Sequence, residues 1–274
     1  MPDAGFRPTG ASGFAPGTLG EDPAGRREPV RARVTETYLP SGTPVLLAEP
    51  LDGEVRGNVV LSASLRGFTG MYTELCLRLA QRQRWRIAAP EQFPGLEHLG
   101  EQARTGQVAR FADEAKLDEL EAAADLLTSG PVALIGFCLG GMYALKASAR
   151  PRFAAIAAFY GMVRLPAPWR APGQAEPLDC LARPERVLAI AGENDPLIAA
   201  ADIADLRAAG VRTLTYPEAG HAFAHDPALP SYRAADATAA WQAAAAHLAS
   251  AHRTAGVPQL HTEDAPRLNQ EERS

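Results

Sequence analysis

The chain has few cysteines, no basic block, no long apolar run and no ligand cluster with metal-binding spacing, and each shortage removes a class of protein. Only Cys76, Cys138 and Cys180 occur, an odd and widely spaced set. It suits neither a disulfide framework nor a zinc site, and points to reduced thiols in a cytoplasmic setting. The formal charge is −5 and arginines are scattered among acids, so no electrostatic footprint for nucleic acid is visible. No apolar run approaches membrane-spanning length, and no basic stretch followed by an apolar one opens the sequence. Neither a membrane span nor secretion is expected. His221, His225 and Asp226 stand close together, but such spacing aligns two ligands only on a helix, and Pro217, Gly220 and Pro227 predict a loop. No metal is expected. The glycines at 136, 140 and 141 do not complete G-x-G-x-x-G and no acidic ribose partner follows, so no nucleotide cofactor is expected.

What the chain does have is a core: 46% of its 274 residues are apolar, enough for one sizeable domain. Residues 1–29, rich in Gly, Pro, Ala and charge, predict a disordered tail, and 252–274 a flexible polar one, leaving a domain at 30–251. Within it, 30–50 reads as two antiparallel strands joined by Pro40-Ser41-Gly42. Strands at 58–63, 85–89, 132–137, 153–159, 186–191 and 212–216 then alternate with helices near 71–83, 109–129, 140–149, 199–209 and 232–250. The alternation predicts an α/β fold: a mostly parallel, twisted sheet with helices on both faces and an N-terminal antiparallel hairpin. Trp241 and Leu248 are the expected inward anchors of the last helix.

The most specific motif is Gly136-Phe137-Cys138-Leu139-Gly140-Gly141, entered from the apolar run Val132-Ala133-Leu134-Ile135 and followed by a helical pattern. A residue at the centre of G-x-C-x-G sits on a sharp strand-to-helix turn where flanking glycines relieve crowding and helix N-terminal amides favour a thiolate. A small buried core cysteine is the competing reading. Two later segments favour chemistry. Asp195 follows the apolar run Val187-Leu188-Ala189-Ile190, and His221 stands in Ala219-Gly220-His221-Ala222-Phe223 after a strand pattern. The order Cys, Asp, His is that of an α/β-hydrolase triad with Cys in place of Ser.

Together GFCLGG, GENDPL and AGHAF resemble the dienelactone hydrolase family, the carboxymethylenebutenolidases and their relatives, over about residues 57–250. The resemblance implies an α/β-hydrolase fold and hydrolysis of a lactone or related ester without metal or cofactor. It implies Cys138 as nucleophile, His221 as base and Asp195 as its orienting acid, with the backbone amides of Leu139 and Leu65 as oxyanion hole. The chain departs from the family pattern at two positions. Ser64 stands where a glutamate is expected to help deprotonate the thiol, so His221 must activate Cys138 directly. His225 replaces an arginine that grips the substrate carboxylate, and Arg104 and Arg110 are candidates for a second family arginine.

Arg66 and Phe223 complete the candidate substrate contacts with Ser64, Arg104 and His225. The proline-dense stretch 161–180 follows a strand and is expected to hang over the sheet's C-terminal edge as a lid or wall, the competing expectation being packing against a helix. Tyr160 and Trp169 would then line an apolar pocket, and Arg164 or Arg170 would meet an anion. The partner expected is a small-molecule lactone or ester, with neither nucleic acid nor membrane, and a homodimer is compatible with the chain. Two other functions fit the same residues: an atypical acyl-transfer, thioesterase or cyclisation enzyme, and a non-catalytic small-molecule binding protein.

Overall fold

The computed structural model describes residues 29–127 and 130–254. The tails expected at 1–29 and 252–274 lie outside the described residues except where they adjoin the domain. Eight strands form one sheet: β1 Ala32–Tyr38, β2 Pro44–Pro50, β3 Gly57–Ser62, β4 Trp85–Pro90, β5 Val132–Phe137, β6 Phe153–Phe159, β7 Val187–Gly192 and β8 Arg212–Tyr216. Their order is β1-β2-β4-β3-β5-β6-β7-β8. The β1–β2 hairpin is antiparallel and β2 joins β4 antiparallel, while every other pairing is parallel.

Burial explains the sequence pattern. Strands β3, β5 and β7 are buried at every position, as parallel strands covered on both faces must be, and so read as continuous apolar runs. Edge strand β1 alternates between half-buried and exposed residues over most of its length. The described helices are α1 Gly70–Gln83, α2 Glu101–Thr105, α3 Asp113–Asp125, α4 Leu139–Lys146, α5 Ala200–Ala208 and α6 Ala234–Thr254. Helix α3 is shorter than its apolar pattern predicts, because Phe111 and Ala112 are extended and separate it from a single 3-10 turn at Val108–Arg110. Asp113 and Glu114 in its first turn suit the positive end of the helix. In α6, Trp241 and Leu248 are both buried, and the Trp241 ring packs on Phe137 and Phe159.

The chain reverses direction across the sheet. From β3 it steps through α1 to β4, toward the hairpin edge; from β5 it steps through α4 to β6, toward β8. Right-handed crossovers with opposite steps put α1 and α4 on opposite faces. Adjacent strands β3 and β5 are therefore where the loops at the C-terminal sheet edge diverge, the switch point at which open α/β sheets bind ligands.

The expected lid is a correction. Residues 161–186 form short 3-10 turns at Ala167–Trp169, Pro177–Cys180 and Pro184–Arg186, tied to the start of α3 and the flank of α4. Gln174 Nε2 donates to the Val108 and Phe111 carbonyls, the Ala175 amide donates to Asp113, and Ser148 Oγ donates to the Cys180 carbonyl. The segment packs on helices because Asp113, ion-paired to the buried Lys146 at 2.6 Å, offers it an anchor.

Candidate active site

Cys138 sits at the turn between β5 and α4 with φ 53° and ψ −113°. Such a conformation in a non-glycine residue costs on the order of 1–3 kcal/mol and persists only where its surroundings enforce it. The enforcement is visible. The Cys138 amide donates to the Phe159 carbonyl at 3.0 Å, and its carbonyl accepts from Met142 at 2.9 Å. A Cβ on Gly136 would collide with the Gly140 carbonyl, and one on Gly140 with the Ser62 carbonyl. The two glycines thus let α4 close on β5 and bring the loop after β3 alongside.

Asp195, just beyond β7, accepts the Leu197 amide at 2.9 Å on one carboxylate oxygen and His221 Nδ1 at 2.7 Å on the other. That bond fixes the proton on Nδ1 and leaves Nε2 for Cys138. Burial pulls the His221 imidazole's pKa down, but interactions with Asp195 and Cys138 outweigh it and push it up to about 10. Nε2 is buried without a partner at full hydrogen-bond geometry, so its contact with the thiol is poised rather than closed, as is common without substrate.

Cys138 and His221 open into one cleft, with a cavity volume of about 110 Å³. Cys138, His221 and Ala222 meet Ser64 and Arg66 from the loop after β3, with Glu101, His225 and Leu229 completing the wall. Within the loop, the Ser64 amide donates to Tyr72 Oη and the Arg66 amide to Ser64 Oγ, while among the described residues no hydrogen bond occupies the Leu65 amide. Beneath it lies Glu91, buried, accepting the Phe68 and Phe93 amides at 2.6 and 2.8 Å. Gly67, at φ +58°, has room only for hydrogen because Glu91 and Arg104 meet around it.

Several expected contacts are corrected. Arg104 is not in the cleft: it is buried, donating to the Leu65, Arg66 and Glu97 carbonyls, and so holds the loop rather than a ligand. Trp169 is buried in the 161–186 packing and Phe223 lies behind Tyr160 and Tyr216; neither lines the cleft. Tyr160 stands behind the cleft wall, its hydroxyl against His225 Nδ1. Arg164 pairs with Asp202 and Asp205, Arg170 with Glu176, and Arg110 is exposed away from the cleft lining. Ser64, Arg66 and His225 do line it, but His225 is not a partly charged anchor: burial pushes its pKa down to about 3, despite an opposing pull from Asp226. Arg66 Nη1 is paired with Asp226 at 2.6 Å.

Sequence reasoning missed Glu91, Glu101 and Leu229 as parts of the site, and weighed Asp226 only as a metal ligand. Glu91 had a sequence signal, an acid directly after an apolar strand, the same signal that picked out Asp195. Among the described residues no three His, Cys, Asp or Glu side chains group to hold a metal, and no helix is long and apolar enough to cross a membrane.

A strained turn between strand and helix at the switch point of a mostly parallel sheet defines an α/β hydrolase. The dienelactone hydrolase family model matches residues 66–251, and the chain belongs to that family of ester-bond hydrolases. It is similar to the crystal structure of a candidate dienelactone hydrolase from Klebsiella pneumoniae subsp. pneumoniae, with 26% identity and a TM-score of 0.69 over 80% of this chain and 98% of the other. It shares its fold with a dienelactone hydrolase-like promiscuous phosphotriesterase from metagenomic libraries, at 20% identity and a TM-score of 0.57 over 81% and 99% of the two chains. The esterase domain of a Rhodothermus marinus protein also shares the fold, at 15% identity and a TM-score of 0.54 over 81% and 99%. No curated protein matches the chain.

Proposed function

We propose that the protein hydrolyses a lactone or related carboxylic ester through Cys138 as nucleophile, His221 as base and Asp195 as orienting acid, by way of a thioester. The observation that carries this reading is the His221 imidazole, bound through Nδ1 to Asp195 at 2.7 Å and interacting on its other side with Cys138 on a strained turn. Sγ, whose proton is held by His221 Nε2, attacks the carbonyl carbon, and the carbonyl oxygen takes up the negative charge. The amides of Leu65 and Leu139 would stabilise it; the loss of one such donor typically costs about 3 kcal/mol of barrier. Collapse breaks the bond to the alkoxide, which takes the proton from His221, and in a lactone the freed hydroxyl stays on the acyl chain. Water then gives a proton to Nε2, its oxygen attacks the thioester, and the thiolate leaves beside the protonated His221. No second carboxylate faces Cys138 from position 64, so the proton has His221 as its acceptor.

The test is hydrolysis of an enol lactone and of p-nitrophenyl acetate by wild type and Cys138→Ala. The reading predicts turnover of both, falling about a thousandfold or more in the variant. A variant that retains the wild-type rate defeats the Cys138 assignment. Thioester turnover far above both would instead favour the acyl-transfer function.

A further inference from the structure

His225 is a buried polar group of the cleft wall that this mechanism leaves unused. It is 2% exposed and lines the cleft beside Ser64, Cys138 and His221. Its ring is stacked on Phe137 at 5.1 Å and on Tyr72 at 5.9 Å, which fixes its plane. Nδ1 meets the Tyr160 hydroxyl, and Nε2 is buried with no partner. Burial keeps Tyr160 un-ionised, and among the described residues its hydroxyl has no acceptor other than Nδ1, so its one proton is directed there. A neutral imidazole that accepts at Nδ1 carries its proton on Nε2. Tyr160 is itself held at φ 39°, a conformation the surroundings must enforce. The result is a rigid, uncharged N–H donor in the cleft wall, and native proteins rarely leave a buried donor unpaired.

The charges around it narrow what can complete that bond. Arg66 is the cation among the cleft-lining residues apart from the histidines, and it is matched by Asp226 at 2.6 Å and Glu101 at 3.8 Å. Asp226 is itself nearly buried and also accepts the Ala228 amide. With Asp195 behind His221, an incoming carboxylate would add a negative charge to a site whose cation is already paired.

We propose that the cleft selects uncharged esters or lactones bearing a second oxygen acceptor, which receives the Nε2–H of His225, and that Tyr160 is the positioning residue that fixes the tautomer. This rests on the cleft being the hydrolytic site. Its volume of about 110 Å³, against the ~10–15 Å³ that a single water requires, fits a short acyl group.

The test compares p-nitrophenyl hemisuccinate, which is anionic, with the p-nitrophenyl ester of monomethyl succinate, which is neutral, using wild type, Cys138→Ala and two His225 variants. The neutral ester should have a kcat/KM about tenfold or more above the anionic one. His225→Leu should lower the neutral ester's kcat/KM by about tenfold, and His225→Gln, which keeps a neutral N–H, should recover part of it. Cys138-dependent turnover that is equal on both esters, or faster on the anion, overturns the selectivity and leaves the hydrolytic reading standing. Absence of Cys138-dependent turnover on every ester removes both. If the variants do not fold, nitrogen-15 NMR of wild type decides the matter. His225 should carry its proton on Nε2 without titrating between about pH 5 and 8, and Tyr160→Phe should release Nδ1. The opposite tautomer, or ordinary titration, overturns the proposal.

Discussion

His221 and His225 leave the same loop into opposite environments. The imidazole of His221 gains Asp195 and Cys138, whereas that of His225 is buried among rings and faces Asp226, Arg66 and His221 without a compensating anion in direct contact. Their effects on stability therefore run in opposite directions with pH. His221, raised in the fold, contributes stability that is complete below its unfolded value near 6.5 and is lost as pH climbs toward about 10. His225, depressed in the fold, protonates in the unfolded chain first, so stability is lost as pH drops from about 6.5 toward about 3. One proton changes stability by at most about 1.4 kcal/mol per pH unit. Thermal unfolding followed against pH should show a shallower acid limb in His225→Gln and a shallower alkaline limb in His221→Gln. An acid limb identical to wild type in His225→Gln would mean that the ring titrates in the fold as it does in the unfolded chain. The three residues that were legible in sequence as a group, Cys138, Asp195 and His221, each follow an apolar strand pattern or lie in a short motif. The protonation of His225 was not legible, because it depends on Tyr72, Phe137 and Tyr160, which come from elsewhere in the chain.

The loop after β3 shows how one element is held by others. Glu91, at the end of β4, accepts the Phe68 amide, and Arg104, from α2, caps the Leu65 and Arg66 carbonyls. Between them they set the direction of the Leu65 amide, yet neither lines the cleft. Arg104 was expected to meet substrate because it precedes the long helix near the sheet edge. Sequence locates the element but not the face from which the side chain enters the loop. Replacing Glu91 by Gln puts an NH₂ group where one of two amide donors was accepted, a loss of about 1–3 kcal/mol. We expect Glu91→Gln to lower the urea midpoint and also to reduce kcat/KM on p-nitrophenyl acetate, while alkylation of Cys138 by iodoacetamide, which needs no oxyanion donor, proceeds near the wild-type rate. Reduced stability with unchanged kcat/KM would show that the loop does not depend on this carboxylate for its alignment.

At the scale of the whole molecule, the sheet was legible because strands buried on both faces must be continuously apolar, and the chain order of Cys138, Asp195 and His221 follows the order of β5, β7 and β8. The path of 161–186 was not, since a proline-dense stretch has no period and its course is set by distant partners: Gln174 reaches Val108 and Phe111, and Ala175 reaches Asp113. The centre of that network is the Lys146–Asp113 pair, whose lysine side chain is fully buried. Lys146→Met should destabilise the fold by about 3–5 kcal/mol in urea unfolding, because it strands a buried carboxylate. The double variant Lys146→Met with Asp113→Asn should regain much of this, since an uncharged amide oxygen can still accept the Ala175 amide. As this connection packs on α3 and α4 rather than over Cys138, kcat/KM of the folded double variant on p-nitrophenyl acetate should stay near wild type. A double variant of ordinary stability that has lost its activity would restore the lid in place of the packing, and would require 161–186 to close over the cleft when substrate is bound.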